Sequence, residues 1–115
     1  MLITKIKYFL IRLELHGILD SDRSFAYSTL KSFLLNDKID QEFTYKGKQY
    51  SLPSGMYCKE CNFSLTISDI EISLLKAINS TFEDSQLSHY KTKNPEDMFE
   101  YIITDPSHIN FFIKS

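Results

Sequence analysis

The sequence predicts an α+β sandwich, one antiparallel sheet with helices on one face, and three observations carry that prediction. A run near the start alternates apolar and polar residues as a half-buried strand does. Two amphipathic stretches sit behind N-cap residues and read as helices. Short β-prone segments with turn residues fill the space between them.

Over residues 5–16, Phe9, Ile11, Leu13 and Leu15 share one face, and Tyr8, Leu10, Arg12, Glu14 and His16 the other, with Gly17 as the boundary. A helical stripe through Ile6, Phe9, Leu10 and Leu13 is the rival pattern. The unbroken alternation from Arg12 to His16 decides for a strand. Asp20-Ser21-Asp22 offers cap chemistry for a helix over 23–36, with Phe25, Leu30, Phe33 and Leu34 inward and Asn36-Asp37 as its stop.

Phe43-Thr44-Tyr45 and Gln49-Tyr50-Ser51-Leu52 flank Lys46-Gly47-Lys48, the pattern of a hairpin. Phe63, Leu65 and Ile67 alternate with polar neighbours as a further strand. Ser68 and Glu71 then have the spacing of a capping box for a helix over about 69–82, burying Ile70, Leu74, Leu75, Ile78 and Phe82.

Residues 85–93 alternate weakly and read as another strand. Asn94-Pro95 opens a third helix to about Ile103, with Met98, Phe99, Ile102 and Ile103 inward, and Ile109, Phe111 and Ile113 suggest a last short strand. This order is that of a ferredoxin-like βαββαβ sandwich with an appended C-terminal helix and short strand. Residues 1–103 form the domain, and 104–115 are an extension packed on it. The sheet face without helices is then free for a ligand, a partner chain or a second copy forming a homodimer.

A chain of 115 residues buries an adequate core as one domain. Its net charge of −2 argues against sequence-blind nucleic-acid binding, which draws its affinity from phosphate neutralisation. The apolar run Leu2–Leu19 is interrupted by Lys5, Lys7, Arg12 and Glu14, so it reads neither as a spanning helix nor as a signal peptide. The expectation is a cytoplasmic protein that does not enter a membrane.

Two cysteines do not make a disulfide framework. Cys58 and Cys61 have metal-knuckle spacing, but a structural zinc site needs four ligands and there is no second such pair. They read as two reduced thiols, with no metal and no cofactor expected.

The row Arg12, Glu14, His16 carries more chemistry. Successive members stand about 7 Å apart on one strand face. Cleavage of RNA by its own 2′-hydroxyl needs a base, an acid and a cation on the phosphate, and this row holds those types. A solvated or cross-strand-paired strand face has the same composition. Lys46 and Lys48, with Tyr45 and Tyr50, form a basic and aromatic set suited to gripping phosphates and stacking bases. Lysines that protect strand edges give the same pattern.

Arg12-Leu13-Glu14-Leu15-His16-Gly17, the helix word Leu30-Lys31-Ser32-Phe33-Leu34, the arm Tyr50-Ser51-Leu52-Pro53, Ser68-Asp69-Ile70-Glu71 and Glu96-Asp97-Met98-Phe99 occur in an order that resembles the GhoS-like antitoxins of type V toxin–antitoxin pairs. The resemblance spans about residues 6–103. It implies a ferredoxin-like domain and an endoribonuclease that cuts the mRNA of a membrane-active toxin peptide. It adds Lys31 to His16 and Arg12 as a catalytic candidate, since Lys31 matches a basic position of the family helix. Thr29 stands where the family carries a neighbouring basic residue.

Two functions follow as expectations. One is an antitoxin-type endoribonuclease whose partner is a toxin mRNA. The other is a non-catalytic binding protein, such as an immunity factor, a phage-encoded inhibitor or a protein-binding antitoxin, acting through the open sheet face on a protein partner.

Overall fold

The structure, a computed structural model, describes residues 7–45, 47–61, 65–91 and 97–104. Strand β1 (Lys7–Leu15) is followed by helix α1 (Asp20–Asn36), the short strand β2 (Ile39–Asp40), the pair β3 (Glu42–Tyr45) and β4 (Lys48–Ser51), and strand β5 (Met56–Cys61). Helix α2 (Ile67–Thr81), a 3-10 turn at Ser88–Tyr90 and strand β6 (Phe99–Thr104) complete the order. Among the described residues, four strands form one antiparallel sheet in the order β2-β5-β1-β6, and β3 and β4 pair only with each other.

β1 is a strand because its period of two matches a sheet with one dry face. Phe9, Ile11, Leu13 and Leu15 are buried, while Arg12 and Glu14 are exposed. Each of those apolar side chains stabilises the fold by about 2 kcal/mol through transfer from water. Ala26, Leu30 and Leu34 of α1 and Ile70, Leu74, Ala77 and Ile78 of α2 belong to the same buried cluster. Both helices therefore cover the face of β1 that carries its odd-numbered residues.

The hairpin around Lys46-Gly47-Lys48 forms as expected, in the register Phe43↔Tyr50 and Tyr45↔Lys48. It does not extend the main sheet. Tyr8, on the helix-free face, donates its hydroxyl to Thr44 O at 3.0 Å and packs its ring 6.2 Å from Phe43. The hairpin thus lies over the Tyr8 end of that face, and among the described residues the part around Arg12 and Glu14 is exposed.

Helix boundaries shift by a few residues. α1 begins at Asp20 behind Leu19, which makes no side-chain cap, and Asp20 and Asp22 sit in its first turn. Its buried stripe is Ala26, Leu30 and Leu34, at i, i+4 and i+8, which leaves Phe25 38% exposed. α2 is capped two residues earlier than the Ser68/Glu71 spacing suggests. Asp69 N donates to Thr66 Oγ1 at 3.3 Å, and Thr66 N donates to Asp69 Oδ2 at 2.9 Å. Glu71 is thereby left to accept the Tyr101 hydroxyl at 2.6 Å. Leu75, expected inside, is exposed.

The largest correction concerns the end of the domain. From Phe99 onward the third helix expected up to Ile103 is instead strand β6, with Leu15↔Phe99, Leu13↔Tyr101 and Ile11↔Ile103 in register. Phe99, Tyr101 and Ile103 alternate just as β1 does, and pairing with β1 outweighs the helical stripe through Met98, Phe99, Ile102 and Ile103. Ile102, expected inward, points to the open face and is 63% exposed. The strand expected over 85–93 is a set of turns as far as Lys91, including the 3-10 turn. Strand β5 lies before the strand expected through Phe63, Leu65 and Ile67; residues 62–64 lie outside the described residues, and Ile67 starts α2. Asn94-Pro95, the strand at Ile109–Ile113 and the extension beyond Thr104 lie outside the described residues.

Candidate functional site

The open end of β1 shapes the site. β5 begins at Met56, opposite Arg12, so it does not reach the last three residues of β1. Leu13 N donates to Gly55 O at 2.8 Å, and beyond that point no strand of the described residues continues the ladder on this side. Leu15 N turns instead to a side chain, donating to the Tyr27 hydroxyl of α1 at 2.9 Å. The gap so left is a groove of about 740 Å³, walled by α1, the end of β1 and the 53–55 turn.

Gly55 makes the turn possible. Its φ is +84°, and a Cβ there would come within 3.1 Å of Leu13 O. Only glycine combines that backbone conformation with so close an approach to β1.

Charge collects in this groove. Arg12 and Glu14 come from β1, and Asp20, Arg23 and Lys31 from α1. Three cations against two carboxylates give it a positive balance in a chain that is negative as a whole. Its inner wall includes Tyr27 and the buried Tyr57. Burial, and secondarily Tyr27, pushes the Tyr57 phenol up to about 12, so it stays neutral and adds no negative charge.

Two of the three catalytic candidates, Arg12 and Lys31, therefore meet across one groove, although 19 positions separate them in the chain. His16 is not among the groove's lining residues. Its Nε2 is 3.2 Å from Glu100 Oε1 on β6, off the hydrogen-bond line, and that atom is shielded from solvent with no hydrogen-bond partner among the described residues. Glu100 in turn stands opposite Glu14 in the β1–β6 register. Like charges directly opposed across a ladder are unfavourable, and His16 and Arg12 flank the pair on the same strand. Arg12, Glu14, Glu100 and Ile102 also border a smaller cleft of about 220 Å³.

The basic and aromatic set of the hairpin stands apart. Tyr50 packs its ring 5.6 Å from Phe43, within the aromatic contact that holds the hairpin to Tyr8. Lys48 is exposed. Lys46 and the side chain of Tyr45 lie outside the described residues. Tyr8 precedes Arg12 by four residues, about 13 Å along an extended strand, so the hairpin contact and the groove occupy different parts of β1.

Sequence reasoning missed Arg23 and Tyr27. Their signal was present, because 23, 27 and 31 are spaced i, i+4 and i+8 and so fall along one side of a helix. Among the described residues no group of three or more His, Cys, Asp or Glu side chains is placed to hold a metal ion. Cys58 is buried. No helix among the described residues is long and apolar enough to cross a membrane.

In comparisons with known proteins, no family model, no curated protein and no solved structure matches the chain.

Proposed function

We propose that this chain binds and cleaves RNA in the groove between α1 and the end of β1, acting as an antitoxin on a toxin mRNA. The reading rests on one observation above all: Arg12 and Lys31, each singled out for a separate reason, line the same positively balanced groove together with Arg23. The frame supports a ferredoxin-like plan for the domain, since the sheet order is β2-β5-β1-β6, α1 follows β1 and α2 follows β5. The order of short sequence words supports the antitoxin role.

In this reading Arg12 holds the scissile phosphate and offsets the negative charge that grows on it, and Lys31 holds the phosphate next to it. Glu14, two residues from Arg12 on the same strand face, is the base. It takes the proton of the 2′-hydroxyl, whose oxygen attacks phosphorus. The bond to the 5′-oxygen breaks, that oxygen takes a proton from water, and a 2′,3′-cyclic phosphate remains. His16, engaged beside Glu100, positions the end of β1 and does not touch the phosphate.

A test needs purified protein, structured RNAs and EDTA. Wild type is expected to cleave. Arg12→Ala and Lys31→Ala each lose about 10²-fold or more, Glu14→Gln loses a similar factor, and His16→Ala retains cleavage. Intact RNA with wild type would sink the catalytic reading.

A second reading, a non-catalytic protein binder, draws on Ile102. This side chain is 63% exposed on the open sheet face, beside the cleft shared by Arg12, Glu14 and Glu100. Recovery of one stoichiometric protein partner, lost on Ile102→Asp, would favour it over cleavage.

A further inference from the structure

Arg23 is assigned to no role in the reading above, yet it lies on the same side of α1 as Lys31. The two are eight residues apart, which is about 12 Å along a helix axis at 1.5 Å per residue. Tyr27 stands between them and is tied by its hydroxyl to the backbone of Leu15. That tie anchors this stretch of α1 to β1. Arg12 borders the same groove from the end of β1.

A strand pulled out of its duplex spaces its phosphates at roughly twice the 3.4 Å axial rise they have when stacked, or about 7 Å. Two such steps are about 14 Å, close to the Arg23–Lys31 separation once the reach of long side chains is included. The groove volume of about 740 Å³ is within the range of small-ligand pockets and suits two or three nucleotides. A full duplex is far too wide for it. Glu14 and Asp20 repel phosphate but accept hydrogen bonds, and the ribose 2′-hydroxyl is a donor that DNA lacks.

We infer that the groove edge of α1 measures a single RNA strand, Arg23 and Lys31 holding phosphates two steps apart while Arg12 takes the one between them. The two carboxylates read the 2′-hydroxyls. This rests on the RNA reading and extends it by fixing the strand state, the length of the site and a role for Arg23.

The experiment is fluorescence anisotropy with labelled hexauridylate, the matching DNA strand and a blunt 12-base-pair RNA duplex, over 50–200 mM salt and in EDTA. The Glu14→Gln protein is run beside wild type so that cleavage does not obscure binding. Three phosphate contacts on a single strand give a log–log salt slope of about −2, equivalent to roughly an 18-fold loss of affinity over that range. Arg23→Ala and Lys31→Ala are each expected to reduce the slope by about 0.7, while Arg23→Lys keeps it. The DNA strand and the duplex are expected to bind several-fold more weakly. Thermal melts of each variant exclude misfolding as the cause. If hexauridylate binds but Arg23→Ala leaves the slope unchanged, or if duplex or DNA binds as tightly, this inference is overturned while the RNA reading stands. If no nucleic acid binds at all, both fall.

Discussion

The backbone N–H of Leu15 donates to the hydroxyl of Tyr27 at 2.9 Å, and this bond closes the one stretch of β1 that β5 does not reach. A side chain on a helix here does the work of a neighbouring strand. Removing it with Tyr27→Phe keeps the ring and leaves a part-buried donor without its partner. The expected cost is about 1–2 kcal/mol in denaturant unfolding, with weaker RNA binding because α1 loses its tie to β1. Unchanged stability would mean that water replaces the phenol at no cost.

Gly55 holds the opposite wall. Gly55→Ala places a methyl carbon 3.1 Å from Leu13 O on a backbone with φ of +84°. Both effects act in the same direction, and a loss of about 1–3 kcal/mol is expected, larger than for Gly47→Ala, whose Cβ meets nothing within 4 Å. Comparing the two melts separates backbone strain, common to both, from the clash peculiar to Gly55.

The Thr66–Asp69 box makes α2 sensitive to acid. Hydrogen bonds from the Thr66 backbone and then its side chain hold the Asp69 carboxyl below the ordinary carboxylate value. A group with a depressed folded value contributes stability above its unfolded value, and this is lost as pH falls through the folded one. Melting temperature is therefore expected to fall in acid more steeply for wild type than for Asp69→Asn. Thr66→Ala is expected to lower it by about 4 °C near neutral pH.

Tyr57 gives the opposite sign at the other end of the scale. Its phenol is pushed up to about 12 by burial, so its contribution is fully present below pH 10 and is lost as pH rises through about 12. In a spectrophotometric alkaline titration, the last tyrosine to ionise is expected to disappear in Tyr57→Phe. A late step that persists in this variant belongs to another residue.

The sequence carried β1, the hairpin and both helices because each has a local signature: period two, a glycine turn, and apolar stripes behind cap residues. It failed at residues 99–104 because Phe99 and Ile103 fit a helix stripe as well as a strand face. Only the presence of β1, far away in the chain, decides between them. The site was legible in part. Arg12 and Lys31 were visible as single residues, but the late start of β5, which opens the groove between them, has no local signal. Nor does the Glu100 that draws His16 aside, since the register of β6 on β1 sets that contact.

The partnership of β1 with β6 also bears on how the chain is made. β1 sits between β5 and β6, and its second neighbour is synthesised some 80 residues after Leu15. At cellular rates of about 5–20 residues per second, the flank of β1 that β6 will cover stays bare for roughly 4–16 s during translation. Leu13 and Leu15 are without their cross-strand neighbours Tyr101 and Phe99 throughout that interval. The nascent chain thus offers chaperones a defined early target, and stalling before residue 99 leaves it a three-stranded species inclined to aggregate.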